Sequence, residues 1–195
     1  MEIRSFISIN LNETLKNEIN NLLTDLKKHN FDVKWVPVEN LHVTLKFLGH
    51  IQMELVAKVK ERLYNIVSNF KPFRLRFNGL GFFPDKKRPR VVWIDISDSD
   101  VLKYLQEMIE ERLAEIGFAR EEKGFSPHLT IGRIRSLRDR EKLVGIVETI
   151  KDREFGIIDV DRVFLMKSDL RPGGAQYSVI AEFLMKSDHN LKEEG

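Results

Sequence analysis

Two short segments of the chain repeat the pattern His-x-Thr-x: residues 42–45 are His-Val-Thr-Leu and residues 128–131 are His-Leu-Thr-Ile. Both segments alternate as strands do, and residues i and i+2 of a strand point to the same face. Each copy therefore presents an imidazole beside a hydroxyl group. If a pseudo-two-fold axis relates the two copies, both pairs of side chains converge on one cleft.

This arrangement predicts acid–base chemistry on a phosphate group. One imidazole can accept a proton while the other donates one, and the hydroxyls can bind non-bridging phosphate oxygens. His42 and His128 are the predicted catalytic residues, and Thr44 and Thr130 are predicted to bind the substrate. A single His-x-Thr sequence is commonplace, so the prediction depends on the shared geometry of two copies.

Two cations that follow the motifs are also candidate substrate-binding residues. Strict alternation places Lys46 on the face of the first histidine, where it would reach a phosphate, although a solvated lysine fits equally well. The same alternation assigns Phe47 to the core rather than to a base-stacking surface. Arg133 is out of phase with the second histidine, and it reaches the site only if a bulge or twist, permitted by Gly132, turns the strand. Without that irregularity Arg133 is a cation at the rim.

Other catalytic chemistries find little support in the residues. The chain has no cysteine, which excludes thiolate catalysis, disulfides and Cys-ligated zinc. A zinc site needs three or four ligands, and the one carboxylate near a motif, Glu39, has the opposite parity from His42. No phosphate-binding glycine loop or serine nucleophile motif occurs. We therefore expect no metal and no cofactor, with a metal site that uses a distant third ligand as the alternative.

The composition is that of a globular protein with a substantial core. The 195 residues are 42% hydrophobic and 32% charged, and the net charge of +2 is small for a purely electrostatic nucleic-acid binder. No apolar run approaches the roughly 20 residues that a membrane span requires, and the first residues lack a signal-peptide pattern. Together with the absence of cysteine, these features predict a cytoplasmic protein that does not associate with membranes.

The order strand, helix, motif strand occurs twice, in residues 3–48 and 91–134, which predicts an internal duplication. We expect an α+β fold in which two lobes, with mostly antiparallel sheets, face a central cleft and carry their helices outside. One two-lobed domain is predicted over residues 1–186, with a polar tail at 187–195. Hydrophobic spacing predicts a helix capped by Asn10 or Asn12 with apolar residues 15–26, further helices at 55–67, 99–116 and 139–150, and strands at 3–9, 33–36, 41–48, 73–80, 90–97, 127–134, 158–167 and 176–185.

The two motifs, with their flanking residues, resemble a known pair. Residues 42–49 (HVTLKFLG) and 127–133 (PHLTIGR) are similar to the paired motifs of the 2H phosphoesterase superfamily, and more closely to its RNA 2′,3′-cyclic phosphodiesterase branch, which includes 2′-5′ RNA ligase-like proteins. Further matching segments are 81–84, 90–93, 167–170 and 174–177, so the resemblance extends from Arg4 to about Leu184. It implies a two-lobed fold with the active site between the lobes and hydrolysis without metal or nucleotide. It also implies that His42 donates a proton and His128 accepts one.

The resemblance implies a phosphoric diester hydrolase whose substrate is RNA with a 2′,3′-cyclic phosphate end, or a related nucleotide, and we expect the protein to be a monomer. The expected product is a 2′-phosphomonoester, and the same histidines would catalyse the reverse 2′-5′ ligation. The alternative is a nucleotide- or RNA-binding module that has the same fold but no turnover. The basic segment 85–90 joins two predicted strands, and its four cations either hold RNA phosphates or form a solvated turn.

Overall fold

The computed structural model describes residues 2–172 and 174–186, which form nine strands, four α-helices and one short 3-10 turn. The strands are β1 (Glu2–Asn10), β2 (Val33–Trp35), β3 (His42–Gln52), β4 (Phe73–Phe83), β5 (Val91–Ser97), β6 (His128–Ile134), β7 (Glu154–Val160), β8 (Arg162–Arg171) and β9 (Gly174–Leu184). The helices are α1 (Glu13–Lys27), α2 (Met53–Val67), α3 (Asp100–Ala114) and α4 (Arg140–Thr149), and the 3-10 turn is Val38–Asn40.

The elements agree with the predicted ones except near the end of the chain. The single strand predicted at 158–167 is wrong, because β7 ends at Val160 and β8 begins at Arg162 in a different sheet. Alternation continues across the junction, and Asp161 is the one residue between the two strands. The predicted tail at 187–195 lies outside the described residues.

All the strand pairs are antiparallel, and they form two sheets. Sheet A has the order β3-β1-β8-β9, and sheet B has the order β2-β6-β5-β4-β7. The two strands that begin with a motif histidine belong to different sheets, β3 at an edge of sheet A and β6 inside sheet B. β3 and β6 nevertheless contact one another. The expected α+β fold with two lobes is therefore confirmed.

Two of the helices pack on the sheet to which their preceding strand does not belong. Helix α1 follows β1 of sheet A but packs against β7 of sheet B, whereas α3 follows β5 of sheet B but packs against β3 of sheet A. Helix α2 also covers sheet A, and α4 packs on β4 of sheet B. Each sheet is thus covered by one helix from each half of the chain, so the halves are interleaved.

Helix α1 shows how the apolar pattern fixes this packing. The Asn12 side chain accepts a hydrogen bond from the Leu15 backbone N–H at 2.9 Å, which caps the first turn as the sequence predicted. The apolar positions at 3–4 spacing are all buried: Leu15, Ile19, Leu22, Leu23 and Leu26. Burial of one such side chain contributes about 1.5–3 kcal/mol relative to exposure. None of the helices in the described part of the chain is both long and apolar enough to cross a membrane.

Gly132 in β6 allows a close approach between two strands. A β-carbon at this position would lie 2.7 Å from Trp35 Cε3 and 2.8 Å from Val33 Cγ1, both on β2. The Trp35 indole therefore occupies the space that a side chain at position 132 would need. This contact joins β6 to the segment that leads from α1 to the first histidine.

We expect Gly132→Ala to lower the free energy of unfolding by about 1–3 kcal/mol, because the added methyl group must displace Trp35 or Val33. The matched control is Gly145→Ala in α4, where a β-carbon meets no atom within 4 Å. Alanine favours the helix by up to about 1 kcal/mol over glycine, so this variant should gain stability. Urea denaturation of both variants measures the difference. A Gly132→Ala protein as stable as the wild type would contradict the close packing.

Candidate active site

Each motif histidine forms a hydrogen bond of the same kind with the backbone two residues earlier. His42 Nδ1 lies 2.8 Å from the Asn40 carbonyl oxygen, and His128 Nδ1 lies 2.8 Å from the Ser126 carbonyl oxygen. A carbonyl oxygen can only accept, so each Nδ1 carries the proton. The Nε2 atom of each ring is therefore left to exchange a proton with a substrate. The two rings therefore have the same tautomer and the same attachment, and both leave Nε2 available for acid–base chemistry.

Each motif strand contains one extra residue directly after the motif threonine. The β1–β3 register skips Leu45, and the β5–β6 register skips Ile131. These β-bulges invert the alternation of the strand beyond the threonine. The residues two positions after each threonine, Lys46 and Gly132, consequently turn away from the histidine face.

The bulge overturns the prediction for Lys46. The residue is 3% exposed, and its Nζ lies 2.5 Å from Glu110 Oε2 and 2.8 Å from the Ala119 carbonyl oxygen. It therefore forms a buried ion pair with α3 and does not share the polar face of His42. The prediction assumed uninterrupted alternation after Thr44, which the bulge removes.

The same inversion brings Phe47 and Arg133 to the histidine faces. Phe47 is 58% exposed, and its ring centroid lies 6.2 Å from that of Phe6, which contacts the His42 ring at 4.7 Å. The assignment of Phe47 to the core was therefore wrong. Arg133 is exposed and, in the register beyond the bulge, lies on the face of His128. The irregularity on which its predicted role depended is present next to Gly132.

The aromatic side chains that contact the histidines were not among the predicted site residues. The Tyr177 ring meets the His42 ring edge-on at 5.2 Å, and the Phe83 ring meets the His128 ring edge-on at 4.9 Å. The interplanar angles are 87° and 81°. The two matching segments 81–84 and 174–177 contain these residues, so the resemblance was the signal that could have identified them.

The strands beside the motifs give the two lobes different charges. Asn10 lies opposite His42 on β1, whereas Asp95 lies opposite His128 on β5. Lys34 lies opposite Arg133 on β2, and both side chains are exposed on the same face. Like charges that face each other directly across a ladder are unfavourable, and an anion between them would relieve the repulsion.

Burial lowers the pKa of the His42 imidazole below its ordinary value, and the hydrogen bond to the Asn40 carbonyl partly opposes this effect. Phe6 and Tyr177 enclose the ring and cause part of the desolvation. The neutral ring is therefore favoured in the folded protein when the site is empty.

We expect this pKa shift to make the wild type lose stability as the pH falls from about 7.5 to 5.5. The unfolded chain binds a proton at His42 near its ordinary pKa of about 6.5, which the folded protein binds less readily. His42→Gln should remove this part of the pH dependence, so its stability relative to the wild type should rise toward acid pH. Urea denaturation at both pH values measures the effect, and His29→Gln, at an exposed position, is the control. Parallel pH curves for His42→Gln and the wild type would contradict the shift.

Comparison with known proteins agrees with the geometry. The sequence profile described as the 2′-5′ RNA ligase superfamily matches residues 14–172. A Thermotoga maritima protein named RNA 2′,3′-cyclic phosphodiesterase is 37% identical over 183 residues, which cover 92% of this chain and 94% of the relative. A protein of the same name from Methanothermobacter thermautotrophicus is 31% identical, with 94% and 99% covered. A crystal structure of a Thermus thermophilus protein superimposes with a TM-score of 0.82 at 26% identity and covers 96% of this chain and 100% of that one. The predicted family is thereby confirmed, and the chain belongs to the 2′-5′ RNA ligase superfamily, whose motifs are those of the 2H phosphoesterases.

Proposed function

We propose that the protein hydrolyses the terminal 2′,3′-cyclic phosphate of RNA to a 2′-phosphomonoester. The observation that carries the proposal is the pair of equivalent imidazoles, each with its Nδ1–H bound to a backbone carbonyl, on two strands that contact one another. The names of the curated relatives support the choice of substrate. His42, His128, Thr44 and Thr130 are the proposed site residues.

The proposed reaction moves one proton at each histidine. His128 Nε2 accepts a proton from a water molecule as its oxygen attacks phosphorus opposite the 3′ oxygen. The bond between phosphorus and the 3′ oxygen breaks, and the His42 imidazolium donates its Nε2 proton to that oxygen. The 2′-phosphomonoester remains, and exchange of protons with solvent restores both rings. The Thr44 and Thr130 hydroxyls donate hydrogen bonds to the non-bridging oxygens, where negative charge develops.

The lowered pKa of His42 is compatible with its role as the acid. A weakly held proton is transferred more easily to the leaving oxygen, and the negative phosphate favours the imidazolium once the substrate is bound. The aromatic rings around His42 hold the imidazole in place while its charge changes. We therefore assign the more buried histidine to the acid, as the family resemblance implies.

The cleft offers different surfaces to the other parts of an RNA end. The exposed Phe47 ring lies on the His42 side and can stack on a base. Arg133 with Lys34 forms a cationic rim on the His128 side, which can hold a phosphate.

The basic segment 85–90 forms an exposed turn between β4 and β5. Asp85 Oδ1 accepts hydrogen bonds from the backbone N–H groups of Lys87 and Arg88, and Lys86 pairs with Glu148 in α4. We propose that Lys87 and Arg88 contribute to RNA binding. The charge of Lys86 is balanced by Glu148, so this lysine is expected to contribute less.

Two other activities are possible for the same architecture. Ligation of RNA ends through a 2′-5′ linkage would use both histidines in reverse, and hydrolysis predominates over it in dilute aqueous solution. A binding module without turnover would need no pair of proton-transfer groups. Measurement of turnover distinguishes a binding module from an enzyme that catalyses hydrolysis or ligation.

The decisive experiment uses a dinucleotide that ends in a 2′,3′-cyclic phosphate, with phosphorus NMR of the product. We expect a 2′-phosphomonoester that resists a 3′-specific phosphatase. His42→Ala and His128→Ala should each reduce the rate by a factor on the order of 10²–10⁴. The double variant should lose less than the product of the two factors, because the histidines act as one unit.

The fold of each histidine variant must first be checked by thermal denaturation. A 3′-phosphate product would contradict the assigned roles, and full activity in either single variant would exclude the two-histidine mechanism. We expect the reaction to proceed in EDTA. Loss of activity in EDTA with rescue by zinc or manganese would support a metal site instead.

We expect Lys34→Gln/Arg133→Gln to weaken binding of an oligonucleotide with a cyclic phosphate end, and to flatten its salt dependence, because fewer counterions are released. Turnover of a mononucleoside 2′,3′-cyclic phosphate should change little, since it has no second phosphate. The control is Lys58→Gln/Lys60→Gln, which removes the same charge from the exposed face of α2. Equal losses on both substrates would mean that the rim acts on the cyclic phosphate itself.

A further inference from the structure

We infer that the buried Lys46–Glu110 pair is a positioning device that fixes the two histidine strands relative to one another. The inference rests on the proposed function, because it concerns the alignment of the acid and the base. Neither residue is proposed to touch the substrate. Both belong to a polar cluster on the side of β3 that faces away from His42.

The cluster connects three parts of the chain. Lys46 Nζ contacts Glu110 Oε2 at 2.5 Å and the Ala119 carbonyl oxygen at 2.8 Å. The backbone N–H of Glu121 donates to Glu110 Oε2 at 3.3 Å. Gln106 Nε2 donates to Glu110 Oε1 at 3.1 Å and lies 3.4 Å from the carbonyl oxygen of Leu45. The cluster therefore holds β3, α3 and the segment that follows α3.

Its position in the chain explains how the cluster can act on both histidines. Leu45 is the bulge residue of the first motif, so one hydrogen bond reaches the irregularity that orients β3. Ala119 and Glu121 lie in segment 115–127, which passes from α3 on sheet A to β6 in sheet B. Near the end of that segment, the Ser126 carbonyl holds His128 Nδ1. A shift of the segment relative to β3 would therefore move one histidine relative to the other.

The second motif has an apolar counterpart at the equivalent position. Gly132 follows the bulge residue of β6 and packs against Trp35. Trp35 lies in segment 28–41, which leads from α1 to the first motif and holds His42 through the Asn40 carbonyl. Each motif strand thus contacts the segment that directly precedes the other motif histidine in the chain. Lys46 makes this contact through charge and hydrogen bonds, and Gly132 makes it through close packing.

The energetics of a buried ion pair point to a geometric role. Desolvation opposes the attraction between buried charges, and replacement of both partners by apolar residues is often neutral or stabilising. Stability alone would therefore be served by an apolar pair at these positions. Hydrogen bonds are directional, so those to the Ala119 carbonyl and the Glu121 N–H fix the position and orientation of segment 115–127 relative to the ion pair. Apolar contacts are not directional and would fix the segment less well.

The experiment separates alignment from stability with the apolar double variant Lys46→Met/Glu110→Leu. Lys46→Met alone should lower the Tm, because it leaves the Glu110 carboxylate buried without its cationic partner. The double variant should recover most of that loss. Its kcat on the cyclic-phosphate dinucleotide should nevertheless stay between about ten- and a hundredfold below the wild type, with KM changed little, because the reacting groups are misplaced.

Gln106→Met is a second variant that leaves the ion pair intact and removes the link to the Leu45 carbonyl. We expect a smaller loss of kcat, about severalfold, again with little change in KM. The control is Arg74→Gln/Asp159→Asn, which removes an exposed ion pair between β4 and β7 and should leave kcat unchanged.

Nitrogen-15 NMR of the imidazoles gives a readout that does not need turnover. The wild type should show His128 as one tautomer with its proton on Nδ1, and the double variant should show a mixture as Ser126 shifts. Normal kcat with a single tautomer, in a double variant that has recovered its Tm, would overturn the inference. If the wild type turned over no cyclic phosphate, the proposed function would fail while the NMR comparison still tested the positioning.

Discussion

The single extra residue after each motif threonine is the constraint on which the site depends. Uninterrupted strands would direct Lys46 and Gly132 to the cleft and would bury Phe47 and Arg133. A buried guanidinium without a partner is costly, and an exposed lysine could not form the ion pair with α3. The bulges reverse this arrangement. Lys46 and Gly132 turn toward the core, whereas Phe47 and Arg133 are exposed on the faces of the histidines. Local backbone irregularity thereby determines which chemistry each strand presents.

The two motif strands share a bulge and a histidine held by a backbone carbonyl, but their surroundings differ in chemistry. His42 contacts the Phe6 and Tyr177 rings and has a neutral asparagine opposite it, whereas His128 contacts the Phe83 ring and has an aspartate opposite it. The positions beyond the bulges carry Phe47 on one side and Arg133 on the other. The His42 side thus presents an exposed aromatic ring, and the His128 side presents an exposed cation. In the proposed function, this asymmetry would let the protein bind a directional RNA strand in one orientation.

The features that were predictable from the sequence are those set by near neighbours in the chain. The histidine and threonine of each motif share a face because they are two residues apart, and α1 follows from five apolar residues at helical spacing and an asparagine cap. The bulge in β3 was not predictable, since no glycine or proline marks residues 42–47 and the register depends on β1. Lys46 could not be placed because its partner, Glu110, lies in a helix of the other half. In β6 the glycine at 132 indicated that a bulge could occur, but the sequence left a regular strand as the alternative.

The position of β1 between β3 and β8 has a consequence for biosynthesis. Sheet A contains β1 but is completed by β8 and β9, which are synthesised after all the other strands that the structure describes. Contacts between such distant residues close slowly, because a long loop must be ordered before they form. The His42 ring contacts Tyr177 of β9, and the Asn40 side chain donates to the Ala175 carbonyl, so neither contact can form before β9 has been synthesised. A nascent chain therefore carries the first His-x-Thr-x motif through the synthesis of the later strands before β9 can complete its surroundings.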